Sequence, residues 1–466
     1  MSEPYVLVMG AGLAGLSAAA LLARSGVSVV LVEQEHDPGG RMQSLPVEGF
    51  RVDAGLHCFH YSDSGPLAQL NSELSLGLSF ISCEGPGYIL KGKKRSPIPP
   101  GATADPDRVP GFTEDEASRI RSFFEIIMEA DPDKWKKKSV ADFLLQSGMG
   151  DDELIKDYTG AFCLTLLGRD PSRVAADLAI SHSQAVGHPG FHVSVIAGGP
   201  GMLVEALSER LSENNAGIVL GTRVQAIEVN DKEVVKVVTS SQEYKPRAVV
   251  YTGSVADLPQ LITGEKPSTG LVRKSKRLKQ VSGISLEYGL NSSVSDIEGV
   301  LISPSEGVVG RFPTNLDPSL APEGCQISSW LLLVPSADLE EVKTTRSHIK
   351  RLKRIVAGQF PELQEQTRWE RLRVIPSVIE AAPLPALTRD KKFTPRFRQL
   401  SNMFVAGDGV ASDGVLSGIA ASSAMEAAGL VKDNLAKSGP GEEKIEAGEE
   451  AAVSAAEHGL QTEDQG

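Results

Sequence analysis

The first forty residues constrain this chain more than any other stretch. A short apolar strand, Tyr5–Met9, runs into Gly10-Ala11-Gly12-Leu13-Ala14-Gly15, and a small-residue helix follows from about Leu13 to Arg24. Gly26 stands where a helix C-terminus favours glycine, and a second apolar strand follows, Val27–Val32. This is a β-α-β start whose continuous apolar strands belong in a sheet covered on both faces. The glycine spacing has a physical reason. Gly10 permits the tight turn, Gly12 lets backbone N–H groups approach a pyrophosphate with no Cβ in the way, and Gly15 lets helix and strand pack closely. Leu13 and Ala14 lie within the same phosphate-facing turn. Glu33 ends the second strand about 20 residues on, where a carboxylate accepts hydrogen bonds from both hydroxyls of an adenosine ribose and repels an NADP 2′-phosphate.

Length and charge bound the rest. At roughly 150 residues per domain, 466 residues exceed one small module. With 41% hydrophobic and 23% charged residues, the chain has the composition of a globular protein. Its formal charge of −13 gathers at one end: residues 438–466 hold eight acids against Lys444, so the remainder carries only about −6. No nucleic-acid partner is expected, and the 437–466 tail reads as a disordered acidic extension. Cys58, Cys83, Cys163 and Cys325 show no ligand or dithiol spacing, so neither a metal site nor a disulfide scaffold is expected. There is no apolar run of about 18 residues and no secretory-type start, which reads as a cytoplasmic protein that touches membranes at most at its surface.

Further along, Pro97, Pro99, Pro100, Pro106 and Pro110 mark an irregular loop. Ile120, Phe123, Phe124, Ile127 and Met128 then fall at helical spacing on one apolar face. Trp135 among Lys134, Lys136, Lys137 and Lys138 reads either as a membrane-surface anchor or as a solvated charge run, and Arg273, Lys274, Lys276, Arg277 and Lys279 form a second basic cluster. A helix at about Met202–Leu211 and strands at about Ile218–Leu220, Val224–Val229, Val234–Thr239 and Ala248–Tyr251 return to the opening style. The stretch 265–374 looks separate, with alternation at Ser282–Leu290 and a basic helix around Thr345–Gln359. Met403–Lys432 reads as strand, glycine turn and helix.

Three motifs beyond the opening turn specify the nucleotide. Gly39-Gly40-Arg41 is followed by Gly49-Phe50-Arg51-Val52-Asp53-Ala54-Gly55-Leu56-His57. Gly198-Gly199-Pro200-Gly201-Met202 leads to Thr222-Arg223-Val224, and Phe404-Val405-Ala406-Gly407-Asp408 precedes Gly414-Val415-Leu416-Ser417-Gly418. Together they resemble the FAD-dependent amine oxidase and phytoene desaturase superfamily over residues 1 to about 436. The resemblance implies FAD, with Arg41 near the pyrophosphate, the Val224 backbone at the adenine and Asp408 on a ribityl or pyrophosphate-side hydroxyl. It places N–H groups of Gly414 and Val415 at the flavin pyrimidine, where a helix N-terminus stabilises negative charge on the reduced ring. Gly55, Leu56, His57 and Gly253 complete the expected cofactor contacts. The implied fold is α/β: a discontinuous Rossmann-like FAD-binding domain (1–90, 195–264, 375–436) with a second, mixed α+β substrate domain (91–194, 265–374).

No second nucleotide fingerprint and no paired cysteines are present. The flavin therefore exchanges electrons with a substrate and then with an acceptor such as dioxygen or a quinone. A catalytic base is dispensable where N5 itself takes the hydride. Only Phe393 and Phe397 offer the aromatic frame usual before the C-terminal motif of amine oxidases. The segment Gly407–Gly414 also departs from the longer glycine pattern of bacterial phytoene desaturases, which puts a carotenoid substrate in doubt. The resemblance is closest to the phytoene-dehydrogenase-like oxidoreductases, implying desaturation, saturation or isomerisation of a hydrophobic, isoprenoid or lipid-like substrate. Amine oxidase and protoporphyrinogen oxidase remain alternatives. So do a prenyl-binding escort of the GDP-dissociation-inhibitor kind and non-redox chemistry like that of UDP-galactopyranose mutase. His57, in His57-Cys58-Phe59-His60-Tyr61, is the candidate substrate-side catalytic residue, since imidazole shuttles protons near neutral pH; a histidine satisfied by backbone is the plain alternative. His188 and His192 are further candidates for the same cavity, and Cys58 for a covalent flavin tether.

Overall fold

The computed structural model describes residues 5–60, 64–98, 111–166, 168, 170–186, 193–214 and 216–437, without the side chains of His60 and Val186. Tyr61, Pro99, Pro100, Pro106, Pro110, His188, His192 and the acidic tail lie outside these residues.

Three stretches distant in sequence build one parallel sheet. Its strands run in the order Gly217–Val219, Val29–Val32, Val6–Met9, Ala248–Tyr251, Met403–Val405. The first strand is thus central, and its four residues are all buried. One face is covered by helices Leu13–Arg24, Gly201–Glu213 and Ser417–Lys437, whose Leu16, Leu207 and Ala424 join Val6 and Val8 in one core. The other face packs on a four-stranded sheet containing Val224–Asn230 and Glu233–Thr239. Cover on both sides is why these strands are apolar at every position. The opening helix is seated so closely that a Cβ on Gly15 would lie 1.8 Å from the Gly10 carbonyl oxygen.

The second unit is a seven-stranded sheet in the order Thr367–Ile379, Val281–Leu290, Gln326–Val334, Val308–Arg311, Leu301–Ser303, Gly87–Lys91, Lys94–Ile98. Helix Val342–Gln359 packs on one face through Leu352 and Val356. Helices Glu114–Glu129 and Glu153–Thr165 cover the other through Ile120, Phe123 and Ile155.

Several boundaries move. Strand Gly87–Lys91 crosses residue 90 and belongs to the second sheet, as does all of Thr367–Ile379, which crosses residue 374. Helix Thr269–Ser275 stays with the first unit, because Leu271 packs in its core. The alternation at Ser282–Leu290 is one of chemistry rather than exposure: every residue of strand Val281–Leu290 after Val281 is buried. Ile284, Leu286 and Tyr288 meet the long helix on one side, leaving Gly283, Ser285 and Glu287 for the other. On Glu114–Glu129, Ile120, Phe123 and Ile127 are buried, but Met128 is 47% exposed at the edge of the stripe. Trp135 does not stand free, since its ring meets Phe143 edge-on at 4.8 Å and Lys138 Nζ lies 4.6 Å from the ring centre. Among the described residues, no helix is long and apolar enough to cross a membrane.

Candidate functional site

The opening turn is built by backbone geometry. Gly10, at φ +105°, donates its N–H to Val32 O at 2.8 Å, and Thr252 Oγ1 donates to Met9 O and Gly10 O at 2.9 and 3.1 Å. Gly253 follows Thr252 beside this turn. Helix Leu13–Arg24 starts with no side-chain cap at Gly12, so its first-turn N–H groups, including those of Leu13 and Ala14, face outward for an anion. A Cβ on Gly12 would meet no atom within 4 Å, and the same holds at Gly407. An uncapped helix N-terminus with open space before both glycines fits a dinucleotide pyrophosphate, so the residues present suit FAD.

Glu33 is already engaged. Its Oε2 accepts from Ala11 N–H at 2.6 Å and its Oε1 from Glu35 N–H at 3.0 Å. The carboxylate ties the second strand to the glycine turn, and its remaining lone pairs are what it can offer a ribose. Glu33 O accepts from Thr222 N–H at 2.6 Å, which brings the start of strand Val224–Asn230, and so Val224, beside it. Gly39, at φ +109°, donates to Ala11 O at 2.7 Å, and Gly40 lies next to Gly12.

Arg41 extends from that second turn to the C-terminal motif. Its Nη1 donates to Asp408 Oδ2 at 2.7 Å and to Val378 O at 2.8 Å, and its Nη2 donates to Asp408 Oδ1 at 3.0 Å. Burial pushes the Asp408 carboxyl up, but the charge and hydrogen bonds of Arg41 outweigh it and hold the group below its usual range. The Asp408 charge in turn raises Arg41. Glu380 lies against the same pair. It is 7% exposed, accepts from Ala256 N–H at 3.3 Å, and donates its own N–H to Asp408 Oδ2 at 3.3 Å. Burial first, and then the Asp408 charge, push its carboxyl up to about 7.

On the substrate side, His57 Nδ1 lies 3.1 Å from Gly55 O, and the Arg41 backbone carbonyl is a second hydrogen-bond partner of the ring. Burial, and then the charge of Arg311, push the imidazole down to about 4, so it is neutral at physiological pH. Burial raises the thiol of Cys58, which disfavours the thiolate a covalent tether would need. Next to them lies a charge network. Asp53 Oδ1 accepts from Ser44 Oγ at 2.9 Å, Asp53 Oδ2 lies 3.8 Å from Arg311 Nη2, and the Asp53 carbonyl accepts from Arg371. Glu287 accepts from Arg371 Nε at 3.1 Å and from Ser285 Oγ. Burial drives Asp53 up to about 6 against the pull of Arg311.

At the C-terminal turn, Gly414 has φ +94° and a Cβ there would lie 3.1 Å from the Gly418 backbone. Leu416, a non-glycine at φ +50°, holds a sparsely populated conformation just before helix Ser417–Lys437. Val415 packs against a buried cluster of the substrate unit, Val140, Cys163, Leu166, Val174 and Ala179.

The structure brings Gly10, Gly12, Gly15, Glu33, Gly39, Gly40, Arg41 and Gly253 to one end of the parallel sheet, with Asp408 joined through Arg41. Phe393 and Phe397, only 4% and 3% exposed, stack on each other within the core. Sequence reasoning missed Glu380, Arg311, Arg371 and Arg373. No local motif marks them, since their neighbours are set by sheet register. Among the described residues, no cluster of histidine, cysteine, aspartate or glutamate is arranged to hold a metal.

The family described as flavin-containing amine oxidoreductase matches residues 13–431. A phytoene dehydrogenase from Streptomyces griseus is 26% identical over 390 residues, covering 72% of this chain and 74% of the relative. A hydroxyneurosporene desaturase from Rubrivivax gelatinosus is 49% identical over 59 residues, 12% of this chain. The chain spans only 11% of that desaturase. In three dimensions, an oxidoreductase from Methanosarcina mazei superposes with a TM-score of 0.75 at 20% identity, over 91% of this chain and 99% of the other. At that identity the likeness speaks for the fold alone.

Proposed function

The chain is an FAD-dependent oxidoreductase of the flavin-containing amine oxidoreductase family, and from that premise we propose that it exchanges hydride with a hydrophobic, isoprenoid or lipid-like substrate. FAD, when bound, supplies a hydride acceptor or donor at its N5. The chain's own residues bind, orient and exclude water. The turn Gly10–Gly15 and Arg41 hold the phosphates, Glu33 the ribose, and Asp408 a hydroxyl near the pyrophosphate. Neutral His57, held between the Gly55 and Arg41 carbonyls, orients a polar substrate atom.

One observation carries the substrate class. Leu56, Ile375 and Val378 are half-buried apolar side chains packed on the helix-covered core of the substrate unit, and the Val378 carbonyl itself holds Arg41. An apolar strip thus begins beside the cofactor residues, as a hydride transfer from an apolar chain requires. The resemblance to a phytoene dehydrogenase and, over a short stretch, to a hydroxyneurosporene desaturase supports this reading. The amine reading loses support because Phe393 and Phe397 are core residues. Dioxygen or a quinone serves as electron acceptor, and the cluster Arg273, Lys274, Lys276, Arg277, Lys279 serves as a contact with a membrane surface. The test is anaerobic incubation of the oxidised protein with fractionated lipid extracts. Bleaching of the flavin by an isoprenoid-containing fraction is expected. Bleaching by simple amines alone would overturn the reading.

A further inference from the structure

Beside the apolar strip lies a concentration of cations, Arg311 buried and Arg371 and Arg373 half-buried, that a hydrocarbon substrate does not require. Register fixes its layout. Arg371 pairs with Glu287, Glu287 with Ser329, and Ser329 with Arg311, so these four form one row across four adjacent strands. Two residues along the same face, Arg373 pairs with Ser285 and Ser285 with Leu331. The next row is apolar, with Ile375 opposite Gly283 and Gly283 opposite Leu333. The face therefore grades from cationic to apolar toward Val378 and the cofactor residues.

The cations exceed their partners. Arg311, Arg371 and Arg373 face two carboxylates, Asp53 and Glu287, and each carboxylate is already engaged, Asp53 by Ser44 and Glu287 by Arg371 and Ser285. The nearby Arg51 is paired outward with Glu205 at 2.5 Å. The Arg311 side chain is only 6% exposed, its nearest carboxylate oxygen is 3.8 Å away, and its Nε is buried without a hydrogen-bond partner. Arg371 Nη1 and Arg373 Nη1 are likewise buried and unpartnered. Buried guanidinium N–H groups without acceptors are costly, and a planar fork of donors matches a carboxylate or phosphate. Water could fill the hydrogen bonds but would leave the excess positive charge uncompensated.

We infer that Arg311, Arg371 and Arg373 form a subsite for an anionic headgroup, so that the substrate is an amphipathic acid whose apolar chain lies along Leu56, Ile375 and Val378. This rests on the hydrophobic-substrate reading above and narrows it. The headgroup is a carboxylate or a phosphate. Either one supplies the missing acceptors and charge, and the neighbouring His57, being neutral, does not compete for it.

The test uses the full chain saturated with FAD, with binding read as perturbation of the flavin absorbance. Geranylgeranoic acid, geranylgeranyl monophosphate and the methyl ester of the acid are compared in the wild type, Arg311→Met and Arg373→Met. At least one anion is expected to bind roughly tenfold or more tighter than the ester, and the tighter of the two identifies the headgroup. Both variants should lose most of that advantage while ester affinity and flavin content hold. Arg373→Met guards against misfolding, because Arg373 makes no direct ion pair with either carboxylate. Equal binding of ester and anions by the wild type, or an advantage that survives in Arg373→Met, overturns the subsite. If octanoate binds in an Arg373-dependent way while no C20 compound binds, the anion subsite stands and the isoprenoid reading falls.

Discussion

Arg41 and Asp408, one just after the second strand and the other near the last, form a two-pronged ion pair with N–O distances of 2.7 and 3.0 Å. The pair is asymmetric in burial, since the Arg41 side chain is 48% exposed and that of Asp408 only 8%. It links the N-terminal and C-terminal motifs of the cofactor side, and its two members differ in what each leaves behind when the other is removed.

Arg41→Met strands a buried carboxylate, whereas Asp408→Asn leaves an arginine that water can reach. The first should therefore cost about 1–3 kcal/mol of stability and the second less than about 1 kcal/mol. Urea unfolding of the purified variants measures the difference. Equal losses would mean the pair is not anchored by the burial of Asp408.

Glu380 gives a pH dependence with a definite sign. Its carboxyl ordinarily titrates at 4.5 and is pushed up to about 7 in the fold. Between those values the native state holds a proton that the unfolded chain has released, so stability falls as pH rises through the window and is lowest above it. Glu380→Gln should thus be the more stable protein at pH above about 8, by up to about 3 kcal/mol, and should match the wild type below about pH 4. Melting temperatures at both ends decide it; a variant less stable than the wild type at high pH would contradict the burial argument.

His57 shows the opposite sign. Its folded value of about 4 lies below the ordinary 6.5, so its contribution to stability is full above 6.5 and is lost as pH falls through 4. The imidazole signal that disappears in His57→Gln should keep its chemical shift between about pH 8 and 5.5 in a proton NMR titration. A midpoint near 6.5 would show that His57 is exposed and charged in that range.

How legible these features were in the sequence depends on how local they are. The glycine turn and Glu33 form one β-α-β unit, where spacing alone fixes geometry, and helix Leu13–Arg24 runs between the same residues in the structure as in the sequence reading. Arg41 and Asp408 were each visible through motifs, but nothing in the chain says that they bond to each other. Glu380 and Arg311 carry no motif. Glu380 follows a strand whose end is placed by long-range pairing, and Arg311 meets Asp53 only because two units close on each other. The expected boundary at residue 90 cuts strand Gly87–Lys91 for a related reason: its apolar residues suit either sheet, and its parallel pairing with Leu301–Ser303 decides the matter.

Two glycines of the opening turn separate cofactor binding from folding. A Cβ at Gly15 would fall 1.8 Å from the Gly10 carbonyl oxygen, which is backbone and cannot swing aside, whereas a Cβ at Gly12 would meet nothing within 4 Å. Gly12 also has an ordinary extended conformation, φ −73° and ψ −179°, which valine adopts readily. Gly15→Ala must therefore push helix Leu13–Arg24 off the sheet, at a cost of about 1–3 kcal/mol or more. Gly12→Val should keep its stability to within about 1 kcal/mol but place methyl groups where the pyrophosphate approaches the helix N-terminus. The expected result is a soluble, folded and colourless Gly12→Val protein, its flavin absorbance below about a tenth of the wild type's, since an occluded pyrophosphate contact is worth several charge-assisted hydrogen bonds. Circular dichroism and the flavin-to-protein ratio report the two properties separately. A Gly12→Val protein that folds and stays yellow would mean that the dinucleotide does not lie across this turn.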